Sequence, residues 1–521
     1  MKRFNVTGLC MPDEDYMADI SGKVEQIKRL IDDRRYFTIN RARQYGKTTM
    51  LAALERALKD EYIVASISFQ DLGAESFASS ETFCAEFMEL IRDALRFTSA
   101  EDEYTEKWVN KDVTTFKSLS RHITAMCKGR KIVLMIDEVD KTSNNLVFLH
   151  LLSTLREKFL ARKAGKDYTF HSVILAGVYD IKNIKLNMMR EGIYTPSETE
   201  DKIYNSPWNI AEDFLVNMSF DPSEIASMLS EYEADHGTGM DIGAIAAEIH
   251  VYTSGYPFLV SRICKHIDEK SNRDWTVEGV QSAIKIMLTE SNTLFSDVFK
   301  NIENDRNLSK MIYELLILGE AKPFVIDNSI ISTGVMYGFL VNADDKIAIS
   351  NRIFELRMIN YYISKDLCGQ KQVTGVFQDD VVRGGRFDME LCLRKFAEHY
   401  AEIYNDKDEE FLERHGRLLF LSYLKPLING QGFYHIESAF TDLRRMDIVV
   451  DFGRQQFIVE LKRWYGEARQ AEGYTQLCGY MESRRADAAY MLTFDFRDPA
   501  NRIRKAEWME FDGKRIFDVM V

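Results

Sequence analysis

Apolar runs alternate with amphipathic stretches over the first 215 residues of the chain. Short apolar runs rich in β-branched residues are typical of buried strands, whereas helices repeat their apolar positions every three or four residues. These patterns predict strands at Tyr36–Asn40, Ile63–Phe69, Ile132–Ile136 and Ser172–Val178, and helices at Gly22–Ile31, Thr48–Asp60, Ser80–Arg96 and Val147–Arg162. Strands that alternate with helices indicate a parallel α/β sheet, which we assign to residues 1–215.

The pattern becomes helical from Asp221 to Asn301, and Asp221-Pro222-Ser223 is a typical helix start. We therefore predict a helical lid over residues 216–300. In residues 301–367, short helices precede an alternating segment with a polar turn at Asn342–Asp345, which is typical of a β-hairpin. Helices followed by such a hairpin predict a winged-helix module.

Residues 368–385 are polar and contain four glycines, so we predict a linker there. The last part of the chain, residues 386–521, has the pattern of a second, smaller α/β domain. Its predicted helices are Glu390–Tyr404, Phe411–Leu427 and Ala468–Met481, and its predicted strands are Met446–Phe452, Gln456–Lys462 and Ala488–Phe494.

The amino-acid composition and net charge exclude some classes of protein. The 521 residues are 45% hydrophobic and carry a formal net charge of −14, which is ordinary for a globular protein and excludes one that is largely disordered. The negative charge also excludes bulk electrostatic coating of nucleic acid, although a local basic groove remains compatible with it. Because we find no signal peptide, no membrane span and no paired cysteine motif, we expect a cytoplasmic protein that does not associate with membranes.

The segment Arg41–Thr48 (RARQYGKT) lies between a predicted strand and a predicted helix. It matches the end of the phosphate-binding pattern GxxxxGK[ST], with Gly46, Lys47 and Thr48 in place and Arg41 at the first glycine position. Lys47 would contact the phosphates of ATP, and Thr48 would bind Mg²⁺. Arg41 and Arg43 could contact phosphate in place of the glycine, or could equally be solvated or paired with acids. The tripeptide alone could also be an ordinary helix start.

A second feature supports a nucleotide site. The apolar strand at Ile132–Ile136 runs directly into Asp137 and Glu138. In a parallel sheet the carboxyl ends of the strands lie beside the phosphate loop, so Asp137 can complete the Mg²⁺ shell and Glu138 can polarise the attacking water. The plain alternative is a buried strand followed by a solvated acidic turn. Both motifs together predict ATP binding and an ATPase that converts ATP to ADP.

The C-terminal domain contains a second chemical pattern. A turn at Gly453-Arg454 would pair Asp447 with Glu460 across a hairpin, and Lys462 would share the face of Glu460. Opposed carboxylates repel each other unless a cation lies between them, and hard cations prefer carboxylate oxygens. Two acids, a lysine and Mg²⁺ or Mn²⁺ form a constellation for metal-assisted phosphodiester hydrolysis. The alternative is an edge hairpin with a solvated charged face.

Two more residues add to this pattern. Glu413 lies early in the amphipathic helix Phe411–Leu427, and Gln476 lies four residues before Tyr480, on the same helix face. Basic residues that could follow a phosphate backbone, or only aid solubility, are Arg444, Arg445, Arg463, Arg469, Arg484 and Arg485.

With RARQYGKT, IVLMIDE, SPWNIAEDF, TSGYPFLVSRIC and this hairpin, the sequence resembles bacterial AAA-ATPase-like proteins that carry a C-terminal nuclease domain of the PD-(D/E)xK superfamily. The resemblance implies a P-loop NTPase sheet with a helical lid and winged helix, followed by a small mixed α/β restriction-endonuclease-like domain. It implies nucleotide contact by Gly46, Lys47 and Thr48, and Mg²⁺ or water roles for Asp137 and Glu138.

For the second domain, the resemblance implies metal ligation by Asp447 and Glu460, catalysis by Lys462 and supporting roles for Glu413 and Gln476. Met446 stands where the superfamily name has proline, a position that varies widely. The leading hypothesis is a nucleotide-regulated nuclease acting on DNA rather than RNA. The alternative is a signalling or scaffold ATPase whose C-terminal domain binds nucleic acid or protein without cutting. A homo-oligomer is compatible with either hypothesis.

Overall fold

The computed structural model describes residues 2–96, 113–139, 146–178, 208–318, 320–367, 381–404, 409–428, 432–437, 447–453, 455–484, 486–497 and 501–521. Two compact units make up the chain. The first, here called the N-terminal unit, comprises Met1–Val298 and Ser332–Phe339. The second, the C-terminal unit, comprises Phe299–Ile331 and Leu340–Val521.

A four-stranded parallel sheet forms the centre of the N-terminal unit. Its strands are β1 (Tyr36–Asn40), β2 (Ile63–Ser68), β3 (Ile132–Asp137) and β4 (Ser172–Gly177), in the spatial order β1-β4-β3-β2. Each predicted strand of this unit is confirmed to within one residue. The predicted parallel α/β sheet is therefore correct, and all of β3 and β4 is buried.

Helices cover both faces of this sheet. They are α1 (Ser21–Asp32), α2 (Lys47–Leu58), α3 (Ser80–Leu95), α4 (Phe116–Cys127) and α5 (Leu146–Lys163). Successive residues of a strand point to opposite faces. Accordingly, Leu134 of β3 lies in a core with α3, α4 and α5, whereas Met135 lies in a core with α1 and α2. An apolar run of this kind is expected where both faces of a strand are buried.

Four helices follow, as the sequence predicts for the lid: α6 (Pro222–His236), α7 (Ile242–Thr253), α8 (Pro257–Lys270) and α9 (Val277–Thr289). The start of α6 is a capping box, because the Asp221 carboxylate accepts from the backbone N–H of Glu224 while the Glu224 side chain accepts from that of Asp221. The turn before α8 requires glycine: at Gly255 φ is +71°, and a Cβ atom would lie 1.8 Å from the Phe220 carbonyl oxygen.

The next segment contains α10 (Thr293–Asn304), α11 (Arg306–Tyr313), a π-helical turn (Glu314–Leu318), α12 (Ser329–Met336) and α13 (Arg352–Leu367). Between α12 and α13 lies the predicted hairpin, β5 (Leu340–Ala343) and β6 (Lys346–Ile349). The Asn342 side chain accepts from the backbone N–H of Asp345, as the polar turn leads one to expect. A winged-helix identity for residues 301–367 stays a prediction.

The C-terminal unit contains a six-stranded mixed sheet in the order β13-β14-β12-β11-β10-β9. Its strands are β9 (Gly432–Glu437), β10 (Asp447–Phe452), β11 (Gln455–Arg463), β12 (Ala488–Phe494), β13 (Lys505–Phe511) and β14 (Lys514–Met520). Its helices are α14 (Met389–Tyr404), α15 (Glu409–Ile428) and α16 (Glu467–Arg484). The three predicted strands and three predicted helices are present, whereas β9, β13 and β14 were not predicted.

Residues 368–380 of the predicted linker lie outside the described residues. Its last part differs from the prediction. Val382–Arg383 (β7) and Arg386–Phe387 (β8) form a small hairpin, with Gly384 and Gly385 at positive φ in the turn. The Gln455 side chain both donates to and accepts from the backbone of Phe387. These bonds hold the hairpin against β11 in the C-terminal unit.

Within the described residues, no helix is both long and apolar enough to cross a bilayer.

Candidate functional site

The phosphate-loop segment joins β1 to α2 and turns sharply twice. Gln44 has φ of +56° and Gly46 has φ of +77°, and both values fall in the left-handed region. Glycine adopts this region without steric cost, which explains the intact Gly46. Among the described residues, Arg41 is not at positive φ. The fold of this loop therefore does not need a glycine at position 41.

Lys47 and Thr48 lie at the start of α2, where unpaired backbone N–H groups and the helix dipole favour anions. The Lys47 ammonium donates to the carbonyl oxygens of Arg41 and Ala42, at 2.9 and 3.0 Å. The Thr48 hydroxyl donates to the Asp137 carboxylate at 2.7 Å. The structure thus brings together the loop hydroxyl and the strand carboxylate that the sequence assigns to one Mg²⁺.

Glu138 follows Asp137 at the end of β3, with φ of +55°. Its backbone N–H donates to Oδ1 of Asp137 at 2.9 Å, which fixes the Asp137 carboxylate between Glu138 and Thr48. Both Glu138 and Thr48 line the same cavity, of about 460 Å³. The donor set fits Mg²⁺ with nucleotide phosphates: a hydroxyl, a carboxylate, and the N–H groups of a helix start.

The two loop arginines have different environments. The Arg41 guanidinium donates to the carbonyl oxygens of Asn40 and Val216, at 2.8 and 2.9 Å, and lies 5.3 Å from the centre of the Phe214 ring. Burial lowers the pKa of this guanidinium. Of the two arginines, only Arg43 is among the described residues that line the cavity, and a phosphate contact by Arg41 stays a prediction.

Arg43 forms an ion pair with Asp297 at 2.9 Å, which corresponds to the acid-paired alternative of the sequence analysis. The Arg43 side chain remains 73% exposed. Arg43 and Lys47 are the two basic residues among the described cavity-lining residues. The sequence therefore located the loop correctly but could not determine which arginine faces the cavity.

The first helix turn of the lid forms one wall of the cavity. The residues of this turn that line it are Pro257, Phe258 and Ser261. The hydroxyl of Tyr256, the residue before them, donates a hydrogen bond to the Arg43 carbonyl oxygen at 2.5 Å. The ring of Tyr256 also meets that of Tyr45 edge-on at 4.5 Å. These contacts tie the start of α8 to the phosphate loop, at the place where the sequence analysis noted the TSGYP segment.

The N-terminal segment also lines the cavity, which sequence reasoning missed. Asn5–Gly8 and Cys10 line the cavity. Buried Asp15 organises the segment, because its carboxylate accepts from the Asn5 amide at 3.1 Å and from the Met11 backbone N–H at 2.8 Å. This segment has neither helical nor strand periodicity, so the acidic run Asp13–Asp15 was the one signal available.

The C-terminal unit brings together three of its five predicted site residues. Lys462 Nζ lies 2.6 Å from Oε1 of Glu460 and donates to Oε1 of Gln476 at 2.9 Å. Glu460 is 2% exposed. Gly473 of α16 makes room for the lysine, since a Cβ there would lie 3.1 Å from Cε of Lys462. A glycine inside a predicted helix was the sequence signal for this close packing.

The predicted hairpin register is confirmed by the backbone. Ile448 pairs with Val459, and Phe452 with Gln455, which is the pairing that the predicted turn requires. The side chains of Asp447 and Glu413 lie outside the described residues, and their assignments stay predictions. Among the side chains that the structure describes, no group of three or more His, Cys, Asp or Glu is arranged to hold a metal.

A second polar network lies beside Lys462 under α16. Gln470 donates to Thr493 at 2.9 Å, and Tyr474 donates to Asp518 at 2.5 Å. Burial, followed by the charge of Glu460, raises the pKa of the Tyr480 phenol. Gln476 and Tyr480 therefore both lie on the helix side that faces Glu460 and Lys462.

Similarity to a known family covers about two thirds of the chain. The sequence model of a family described as "AAA-like domain" matches residues 16–357. No curated protein matches the sequence. Among solved structures, the Walker-type ATPase PABY2304 of Pyrococcus abyssi is similar, with a TM-score of 0.47 and 12% identity over 68% of this chain and 99% of that one. The ORC2 protein of Aeropyrum pernix, in its ADPNP–ADP complexes, gives a TM-score of 0.37 and 12% identity over 70% and 98%.

Proposed function

Because the chain belongs to the AAA-like domain family, we propose that it binds ATP in the cavity at Gly46–Thr48 and hydrolyses it to ADP. The observation that carries this proposal is the 2.7 Å hydrogen bond between Asp137 and Thr48, a residue that lines the cavity. We further propose that the C-terminal unit is a metal-dependent nuclease, acting on DNA rather than RNA, whose activity the nucleotide regulates.

Each residue of the nucleotide site has one role in this proposal. The Lys47 ammonium, now held by two loop carbonyls, exchanges these for the β- and γ-phosphates of ATP. Thr48 and Asp137 would hold Mg²⁺, which would offset the negative charge of the phosphates. Glu138 orients and polarises the attacking water from the cavity wall. Arg43 adds a second positive charge at the rim.

Titration of the full-length protein with ATP and Mg²⁺ in a calorimeter tests the nucleotide site. Lys47→Ala should abolish binding, whereas Lys59→Ala, an exposed lysine just after the same helix, should bind as the wild type does. Equal affinity in the two variants would contradict the proposal.

The nuclease proposal rests on the contact of Lys462 with Glu460 and Gln476. Asp447 and Glu460 would ligate Mg²⁺ or Mn²⁺, with Glu413 in support, since carboxylate oxygens suit these cations. Lys462 would position water or stabilise charge on the phosphate, and Gln476 would hold Lys462 in place. The register of β10 and β11 supports this assignment, because Ile448 pairs with Val459 and the next residues along the two strands are Asp447 and Glu460.

Cleavage of labelled DNA with Mg²⁺ or Mn²⁺, with and without ATP, tests this second part. Wild-type protein should cut, and Asp447→Ala should not. A wild-type protein that binds ATP and oligomerises but cuts neither DNA nor RNA would instead support the signalling or scaffold alternative.

A further inference from the structure

Two side-chain contacts hold the phosphate loop against the start of α10. The Arg43 guanidinium donates to Oδ2 of Asp297 at 2.9 Å, and the Gln44 amide donates to Oγ1 of Thr293 at 3.0 Å. Thr293 and Asp297 are four residues apart, so one turn of α10 presents both side chains on the same helix face. We call these two contacts the loop clasp. All four of its residues belong to the N-terminal unit.

The two sides of the loop clasp differ in how firmly they are held. On the helix side, Leu294, Phe295 and Val298 are buried, and Asn292 caps the helix by accepting from the Phe295 backbone N–H at 3.0 Å. On the loop side, the Arg43 side chain is 73% exposed. Exposed side chains change rotamer within nanoseconds. The clasp therefore opens most easily by movement of Arg43.

The proposed nucleotide offers Arg43 a second partner. Arg43 and Gln44 line the nucleotide cavity, whereas Thr293 and Asp297 are not among its described lining residues. A guanidinium binds phosphate oxygens through paired, charge-assisted hydrogen bonds. Phosphates in the cavity and the Asp297 carboxylate therefore compete for the same side chain.

The Gln44 contact is incomplete. Among the described residues, no donor reaches Oε1 of Gln44, although this atom is buried. A buried acceptor without a hydrogen bond costs free energy. The clasped arrangement of the loop is therefore not the best one available to this side chain, and a rearrangement of the loop can relieve the cost.

A change inside the loop acts at a neighbouring contact. The Lys47 ammonium donates to the carbonyl oxygen of Ala42, a bond that it would give up for the phosphates. Ala42 is closely packed against Gly338, because a Cβ atom at Gly338 would lie 2.5 Å from that of Ala42. Nucleotide binding would thus change the loop at both places where it meets the segment after the lid.

We propose that the loop clasp senses the nucleotide: the phosphates of ATP draw Arg43 away from Asp297 and so release the first turn of α10 from the phosphate loop. This inference rests on the proposed ATP site and adds its regulation. The released turn is the last part of the N-terminal unit before the chain enters the C-terminal unit at Phe299. By linkage, ATP weakens the clasp by the same factor by which the clasp weakens ATP binding.

Calorimetric titration of the full-length protein with a non-hydrolysable ATP analogue and Mg²⁺ tests the proposal. Asp297→Asn keeps the shape of the side chain and removes its charge, so it should bind the analogue about two- to fivefold more tightly. The gain is small because an exposed ion pair contributes little free energy. The control is Glu303→Gln on the same helix, because the Glu303 carboxylate accepts from Tyr361 and not from the loop. This variant should bind as the wild type does.

The same substitution in an Arg43→Ala background separates the clasp from simple repulsion between Asp297 and the phosphates. Without Arg43, Asp297→Asn should give no further gain in affinity. Hydrogen exchange of residues 293–298 should become faster when the analogue binds the wild type, and should not change in Arg43→Ala. An equal gain with and without Arg43, or no gain from Asp297→Asn in the wild-type background, would overturn the clasp.

These outcomes also separate the clasp from the nucleotide site on which it rests. A wild-type protein that does not bind the analogue would overturn both. A wild-type protein that binds it, and whose affinity Asp297→Asn leaves unchanged, would uphold the nucleotide site and overturn the clasp alone.

Discussion

Lys462 and Glu460 form an ion pair at 2.6 Å in which the carboxylate is almost fully buried and the lysine side chain is 14% exposed. Removing two charges from water costs free energy that their attraction often does not repay, so a buried pair is weak support for a stabilising role. The Gln476 contact adds a third polar group at the same point. A chemical role accounts for this cluster better than stability does.

This interpretation predicts that stability and activity separate in a double variant. Lys462→Met should destabilise the protein by about 3 kcal/mol, because the buried Glu460 carboxylate loses its nearest cation. Combining it with Glu460→Leu should recover most of that loss, since an apolar pair replaces the charges. Chemical denaturation measures both effects. Neither variant should cut DNA, and a double variant that cuts would show that these side chains are not part of the site.

Thr48 should be needed for the use of Mg²⁺ by the ATPase. Thr48→Ala removes the hydroxyl that contacts Asp137, so we expect ATP hydrolysis to fall at least about 100-fold, whereas Thr48→Ser keeps the hydroxyl and should retain most activity. Steady-state phosphate release is the measurement. Thr154→Ala, which alters a half-buried threonine of α5, is the control. Hydrolysis by Thr48→Ala at the wild-type rate would exclude this role.

Gly255 should be one of the least replaceable residues of the lid. Gly255→Ala would place a Cβ 1.8 Å from the Phe220 carbonyl oxygen, in addition to the cost of φ at +71°. We expect a loss of about 3 kcal/mol or more. Gly237→Ala isolates the backbone cost, because φ is +59° there but nothing lies within 4 Å, and it should lose about 1 kcal/mol. Similar losses for both variants in urea unfolding would disprove the clash.

His171 should make the N-terminal unit sensitive to acid. Burial lowers the pKa of its imidazole from 6.5 to about 4. Between these pH values the unfolded chain binds a proton that the folded chain excludes, so the free energy of unfolding decreases as the pH falls from 6.5 to 4. His171→Gln should flatten this dependence by at most about one proton. Urea unfolding at several pH values tests this, and identical slopes for both proteins would contradict it.

The strands of the parallel sheet and the phosphate loop could be predicted because their signals are local in the sequence. Strands such as β3 are buried on both faces and appear as continuous apolar runs, and Gly46-Lys47-Thr48 and Asp137-Glu138 are local motifs. The turn at Gly453-Arg454 determined the hairpin register in the same local way.

The missed elements depend on distant contacts. Strand β13 pairs only with β14, at the edge of the sheet, and its half-exposed side chains have no clear alternation. The position of Arg41 depends on Phe214 and Val216, more than 170 residues away in sequence. Periodicity and motif spacing contain no information about such partners, so the contacts of the Arg41 side chain could not be predicted.

The most direct test of the account is the rate of Mg²⁺-dependent cleavage of labelled DNA by Glu460→Gln, a variant that keeps the shape of the side chain and removes its charge. Calorimetry with ATP on the same sample checks that the nucleotide site is intact. We predict that cleavage falls at least about 100-fold while ATP affinity is unchanged, because the metal loses a carboxylate ligand. Cleavage at the wild-type rate would contradict the assignment of the C-terminal unit as a metal-dependent nuclease.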